Sequence, residues 1–125
     1  MEIHHSKHHN AYVTNLNISL EKLDAAVSAS DVSTIISLQA ALKFNGGGHI
    51  NHTLFWENLT PAGTVTLNDG PLKAAIHASF GNIEALKLDM SASTVAVQGS
   101  GWGWLGYNAK NGKWIHASWV KDRDC

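Results

Sequence analysis

The chain has 125 residues, 44% of them apolar, with 9 Lys+Arg against 10 Asp+Glu and a net charge of -1. Such a length suggests one compact unit, and the near-neutral balance lacks the basic footprint of a nucleic-acid or anionic-membrane binder. No apolar run approaches the ~20 residues of a membrane span, "MEIHHSKHH" lacks the regions of a secretory signal, and the single cysteine, Cys125, excludes an internal disulfide framework or a cysteine-based zinc site.

In chain order, residues 3–29 place Val13, Leu16, Leu20, Leu23 and Val27 at alternating steps of three and four, which predicts an amphipathic helix with that stripe toward a core. "SASD" at 28–31 supplies turn formers, with Ser30 or Asp31 able to cap a second helix. In that helix Ile35, Leu38, Leu42, Asn45, His49, His52 and Trp56 again step by three or four, so His52 points inward. Residues 10–29 and 32–57 thus read as an antiparallel helical hairpin. "LTPAGTVTLNDGP" at 59–71 holds both prolines and reads as a connection.

Two shorter helices follow in "PLKAAIHASFG" and "NIEALKLDMSASTVAV", with Pro71 at a first helical position and Gly81 as terminator. "GWGWLGYNAKNGKWIHASWV" predicts two strands around "NAKNG", whose Asn111-Gly112 pair suits a hairpin turn. The expected fold class is α+β: a helical hairpin domain over 1–59, a connection over 60–70, and over 71–125 the start of an α/β domain with two helices and a β-hairpin.

Eight histidines and five tryptophans are many for this length, and both cluster. On a helix His4, His8 and Tyr12 share one ridge that continues into Leu16 and Leu20, while His5 and His9 lie on a neighbouring ridge. That ridge is a candidate wall of a partly buried site; the plain alternative is a solvated histidine-rich helix end. In "FNGGGHINHTLFW" three glycines sit inside a helical pattern, each costing ~1 kcal/mol relative to alanine. Their compensation is close approach of another backbone or room for a neighbouring side chain beside His49 and His52, unless the stretch is a loop between two short helices. Imidazoles from two antiparallel helices suit a transition metal, with zinc, iron and manganese all open, although two histidines alone leave the ligand set incomplete.

"HHSKHHNAYV", "LKFNGGGHINHTLFWENLTP" and "VQGSGWGWLGYN" resemble the iron/manganese superoxide dismutase family, closest to its manganese, mitochondrial-type members. The resemblance runs from about Ile3 to about Gly112. It implies superoxide as substrate, manganese rather than iron as the parental metal, a homo-oligomer, and the mitochondrial matrix, although the chain shows no targeting segment and the cytoplasm stays open. It implies His4 and His52 as metal ligands, His8 and Tyr12 as residues that organise proton delivery, and Trp102 as the aromatic that walls the substrate cavity. His5, His9 and His49 match the motifs without being ligands there. Gly48 is implied to leave room for a glutamine side chain beside the metal.

The family's remaining ligands, an Asp and a His, are expected beyond residue 125, and "WIHASWVKDRDC" departs from the family pattern from about residue 113. An inactive or truncated piece of the family is therefore a second expectation, and a generic histidine-rich metal-binding domain a third. His116, Asp122 and Asp124 are further donors that nothing in the sequence fixes. Apolar surface around Trp104, Trp114 and Trp119 is expected to favour association.

Overall fold

The computed structural model describes residues 1–120; the side chains of 114–120 lie outside the described set, as do residues 121–125 altogether. Side-chain expectations for Trp114, His116 and Trp119, and all those for Asp122 and Asp124, therefore fall outside the described residues. The fold class is α+β. Helices α1 (Asn10–Ser28) and α2 (Val32–Glu57) precede α3 (Pro71–Phe80) and α4 (Ile83–Val95), and strands β1 (Gly101–Asn108) and β2 (Lys113–Val120) follow. The single unit suggested by length gives way to two compact ones, Met1–Pro61 and a second from Ala62 on. The stretch between α2 and α3 forms no regular element, as its prolines and glycines dictate.

In the first unit the expected hairpin forms, with a different detail at its start. His4–His9 is a π-helical turn, and the Asn10 N–H reaches back to the carbonyl of His5. This wider i→i+5 winding advances residues less around the axis than an α-helix does. His9 thereby turns from the neighbouring ridge onto the face against α2, where it is buried.

The α1 seam also differs from the apolar stripe. Tyr12, Ser19 and Ala26, spaced by seven, are the buried residues, flanked by half-buried Leu16 and Leu23. Leu20 and Val27 are 46% and 56% exposed. Both lie one position further round from the small residues Ser19 and Ala26, which allow the two helices to approach closely. The α2 stripe is as expected: Ile35, Leu38, Leu42, Asn45, His49, His52 and Trp56 are all buried or half-buried.

The hairpin turn uses both candidate capping residues in separate roles. Ser30 takes a left-handed conformation with φ 56°; its N–H bonds Val27 O at 3.0 Å, and the Asp31 N–H bonds Ala26 O at 2.9 Å. These two bonds close α1 as a Schellman motif. Asp31 then caps α2, its Oδ1 accepting from the Thr34 N–H at 3.0 Å and its Oδ2 from the Thr34 hydroxyl at 2.6 Å. α2 runs unbroken through Gly46, Gly47 and Gly48, which excludes the loop alternative.

In the second unit Pro71 stands in the first turn of α3, Gly81 ends it at φ 87°, and the Asn82 side chain accepts from the Ala85 N–H at 2.8 Å to cap α4. β1 and β2 pair antiparallel from Gly101↔Val120 to Asn108↔Lys113. Their connection spans the four residues 109–112 instead of a tight Asn-Gly pair: Asn111 keeps negative φ, and only Gly112 turns left-handed. Gly103 on β1 packs where a Cβ would meet Thr94 of α4, 3.0 Å from its Cγ2, so no other residue fits that crossing without a shift.

Candidate metal centre

One end of the hairpin gathers its histidines from both helices. His52, on the inner stripe of α2, is 3% exposed. Its Nδ1 lies 2.6 Å from the carbonyl oxygen of Gly48, one helical turn earlier. A carbonyl only accepts, so Nδ1 carries the proton and, in the neutral ring, Nε2 is left with a lone pair. That nitrogen faces His4, whose Nε2 stands 3.0 Å away and donates to it.

The backbone thus fixes both the tilt of the His52 ring and the atom it offers, as a hydrogen-bonded metal ligand requires. His8 completes a triangle of rings, with centroids 5.2 Å from His4 and 5.0 Å from His52. One ligand nitrogen from each of His4, His8 and His52 falls within 4.8 Å of the others. Among the described residues no carboxylate joins this group.

Tyr12 packs beneath the triangle, buried, with its ring 5.3 Å from His52 and 5.2 Å from His8. Its ring explains Gly48. A Cβ there would stand 2.6 Å from Tyr12 Cε1 and 2.7 Å from Cγ, far inside contact. The clearance expected for a glutamine is therefore required by the tyrosine ring, and the same glycine supplies the carbonyl that orients His52. Gly46 has no such neighbour: its nearest atom, Leu16 Cδ1, lies at an ordinary 3.7 Å.

A second chain of polar contacts lies alongside, unread in the sequence. The Trp56 indole N–H donates to His9 Nδ1 at 2.9 Å, and His9 Nε2 lies 2.9 Å from His49 Nδ1. Indole only donates, so His9 holds its proton on Nε2 and passes a hydrogen bond to His49. His9 stacks on His52 at 5.3 Å and 18°. The legible signal was Trp56 on the stripe of His49 and His52; the missing one was the π-turn that swings His9 inward.

Burial holds the His52 imidazole below its ordinary range; the His4, His8 and His9 charges act the same way, against the bond to Gly48. Burial likewise lowers His9, followed by the charges of His49 and His5. Neutral rings with free lone pairs are what a transition ion binds. The donor set fits such an ion with nitrogen ligands, and for the harder manganese it supplies the imidazole part only.

Of the residues singled out in the sequence, His4, His8, Tyr12 and His52 come together at this end of the hairpin. Trp102 belongs to the second unit, half-buried on β1 with its ring 5.9 Å from Trp104.

Two family models match the chain: the alpha-hairpin domain of iron/manganese superoxide dismutases over residues 1–60 and their C-terminal domain over 68–125. Similar relatives include the mitochondrial manganese superoxide dismutase of Charybdis feriata, 60% identical over 110 residues, covering 88% of this chain and 48% of the relative. Those of Drosophila melanogaster and Petromyzon marinus are each 55% identical over 113 residues, covering 90% of this chain and 51% and 78% of the relatives. The chain spans about half the length of the first two.

Proposed function

Because the chain belongs to the iron/manganese superoxide dismutase family, we propose that it provides the helical half of a manganese centre that converts two superoxide ions and two protons to oxygen and hydrogen peroxide, with His4 and His52 as ligands. The observation that carries this is the 3.0 Å approach of His4 Nε2 to His52 Nε2, with the latter's lone pair fixed by Gly48. Manganese held there would supply the one-electron redox chemistry of the reaction.

The chain's own residues position and protonate. Gly48 O holds His52 by its Nδ1–H, so that His52 Nε2, together with the His4 Nε2 that faces it, would hold the ion. Tyr12 and His8, stacked edge to face, supply the hydroxyl and imidazole through which protons reach the site. Trp102 retains its proposed role as the cavity aromatic on its motif alone, and the 1–59, 60–70 and 71–125 division carries over as the functional one. The relatives are named as mitochondrial enzymes, and mitochondrial residence and homo-oligomeric assembly belong to this proposal. No helix among the described residues is long and apolar enough to cross a membrane.

A second reading rests on the nitrogen-only donor set: the chain holds part of the site and is inactive by itself. One experiment separates the two. The purified 125-residue chain is loaded with manganese and its metal stoichiometry and superoxide decay are measured beside a chain extended to the length of its relatives. The second reading expects activity no higher than free metal for the former and catalysis for the latter. In the extended chain, His52→Ala loses the metal, whereas Tyr12→Phe keeps it and slows turnover; equal metal loss in both contradicts the ligand role of His52 and the proton-delivery role of Tyr12.

A further inference from the structure

We propose that His8 is itself an ion ligand, so that His4, His8 and His52 form a three-nitrogen site that takes late first-row divalent ions, such as cobalt, nickel, copper or zinc, ahead of manganese. The proposal rests on His4 and His52 being ligands, as in the proposed function, and departs from the proton-delivery role of His8.

Three features of the hairpin carry it. An ion ~2.0–2.1 Å from each nitrogen holds its donors ~3.0–3.4 Å apart; His4 Nε2 and His52 Nε2 already stand at 3.0 Å, and the His8 donor lies within 4.8 Å of both. Rotation of His52 is restrained, because its Nδ1–H is tied to Gly48 O and its ring packs against those of His9 and Tyr12. His8 is exposed and its ring lies 5.2 Å from that of His4, one helical turn earlier, so a side-chain rotation closes the triangle. Imidazole donors without a carboxylate favour the borderline ions at the upper end of the divalent series, whereas manganese prefers carboxylate and water oxygens.

The test uses the 125-residue chain, cobalt(II) titration followed by its visible absorption, and nitrogen counting at bound copper(II) by pulsed electron paramagnetic resonance. One cobalt per chain and three coupled imidazoles are expected, with manganese bound more weakly than cobalt. His8→Gln should lower cobalt affinity by about a hundredfold, the upper end of what loss of a ligand's hydrogen-bonding partner does, and, as the discriminating readout, reduce the nitrogen count to two. Its helical circular dichroism should stay unchanged. An unchanged count in His8→Gln overturns the proposal, whatever happens to affinity, since His8 then acts from outside the coordination sphere. If His52→Ala abolishes binding while His8→Gln leaves it intact, this inference alone falls. If His4→Ala and His52→Ala also bind cobalt as before, the ion lies elsewhere and the ligand assignment of the proposed function falls too.

Discussion

At the scale of single residues the two glycines at 46 and 48 should respond oppositely to the same change. Alanine in a helix interior is favoured over glycine by ~1 kcal/mol. At Gly46 the added Cβ meets only Leu16 Cδ1 at 3.7 Å, so Gly46→Ala should raise stability by about that amount. At Gly48 it strikes the ring of a buried Tyr12, and overpacking of this kind costs about 1–3 kcal/mol. Gly48→Ala should therefore destabilise despite the better helix former, and it should disturb the His52 ring that its carbonyl orients; urea denaturation of both variants checks the signs.

The buried imidazoles set a pH dependence as well. His9 and His52 have lowered folded pKa values, so near pH ~6.5 the unfolded chain binds more protons than the folded one. Their contribution is complete above that range and is lost as pH falls through it. The melting temperature of the metal-free chain should drop between pH ~7 and pH ~5.5, and a flat profile would show these rings to be solvated.

Among the elements, the connection of α1 to α2 is built from two residues with opposite accounts. Ser30 adopts the left-handed conformation that costs a residue with a Cβ about 1 kcal/mol, so Ser30→Gly should stabilise the hairpin by about that much. Asp31→Ala should destabilise it, since the carboxylate caps α2 through Thr34 and its hydrogen bonds hold the Asp31 pKa below the usual carboxylate value. That contribution is present above the ordinary carboxylate range and fades as pH falls through the lowered pKa. Thermal melts of the two variants at neutral pH, shifted in opposite directions, verify the turn. The π-helical entry differs in kind from the capped α2, because its effect is to aim side chains: it brings His9 onto the seam and leaves His8 beside His4.

For the molecule as a whole, exposed apolar side chains are the conspicuous property. Val27 on α1 and Ile36 and Ile50 on α2 are 56%, 66% and 58% exposed, and Leu88 and Val95 on α4 are 74% and 84% exposed. A helical pair has one seam, and residues off that seam are buried only by something outside it. The chain should therefore self-associate in a concentration-dependent manner, seen as rising sedimentation coefficients. Replacing Ile36 and Ile50 together by lysine should shift it toward the monomer while its helical content stays unchanged. Concentration-independent monomer behaviour of the unsubstituted chain would refute the expectation.

The sequence by itself determined the elements and the chemistry. Three-four spacing laid out α2 and placed His52 on its inner face, Pro71 and Gly81 bounded α3, and long motifs carried the family. These are properties of periodicity and local backbone preference, which a linear chain displays directly. Only the tertiary structure decided which face of α1 is the seam, because helices approach closely where side chains are small, and Ser19 and Ala26 rank below Leu20 and Val27 on any apolar count. The same holds for Gly48, whose neighbour Tyr12 is 36 residues away in the chain, and for the Trp56–His9–His49 chain, which exists only once a π-turn has changed the winding. Proton positions on the imidazoles were decided last. They follow from a backbone carbonyl and an indole N–H brought within hydrogen-bond reach by packing, and no spacing in the sequence records that.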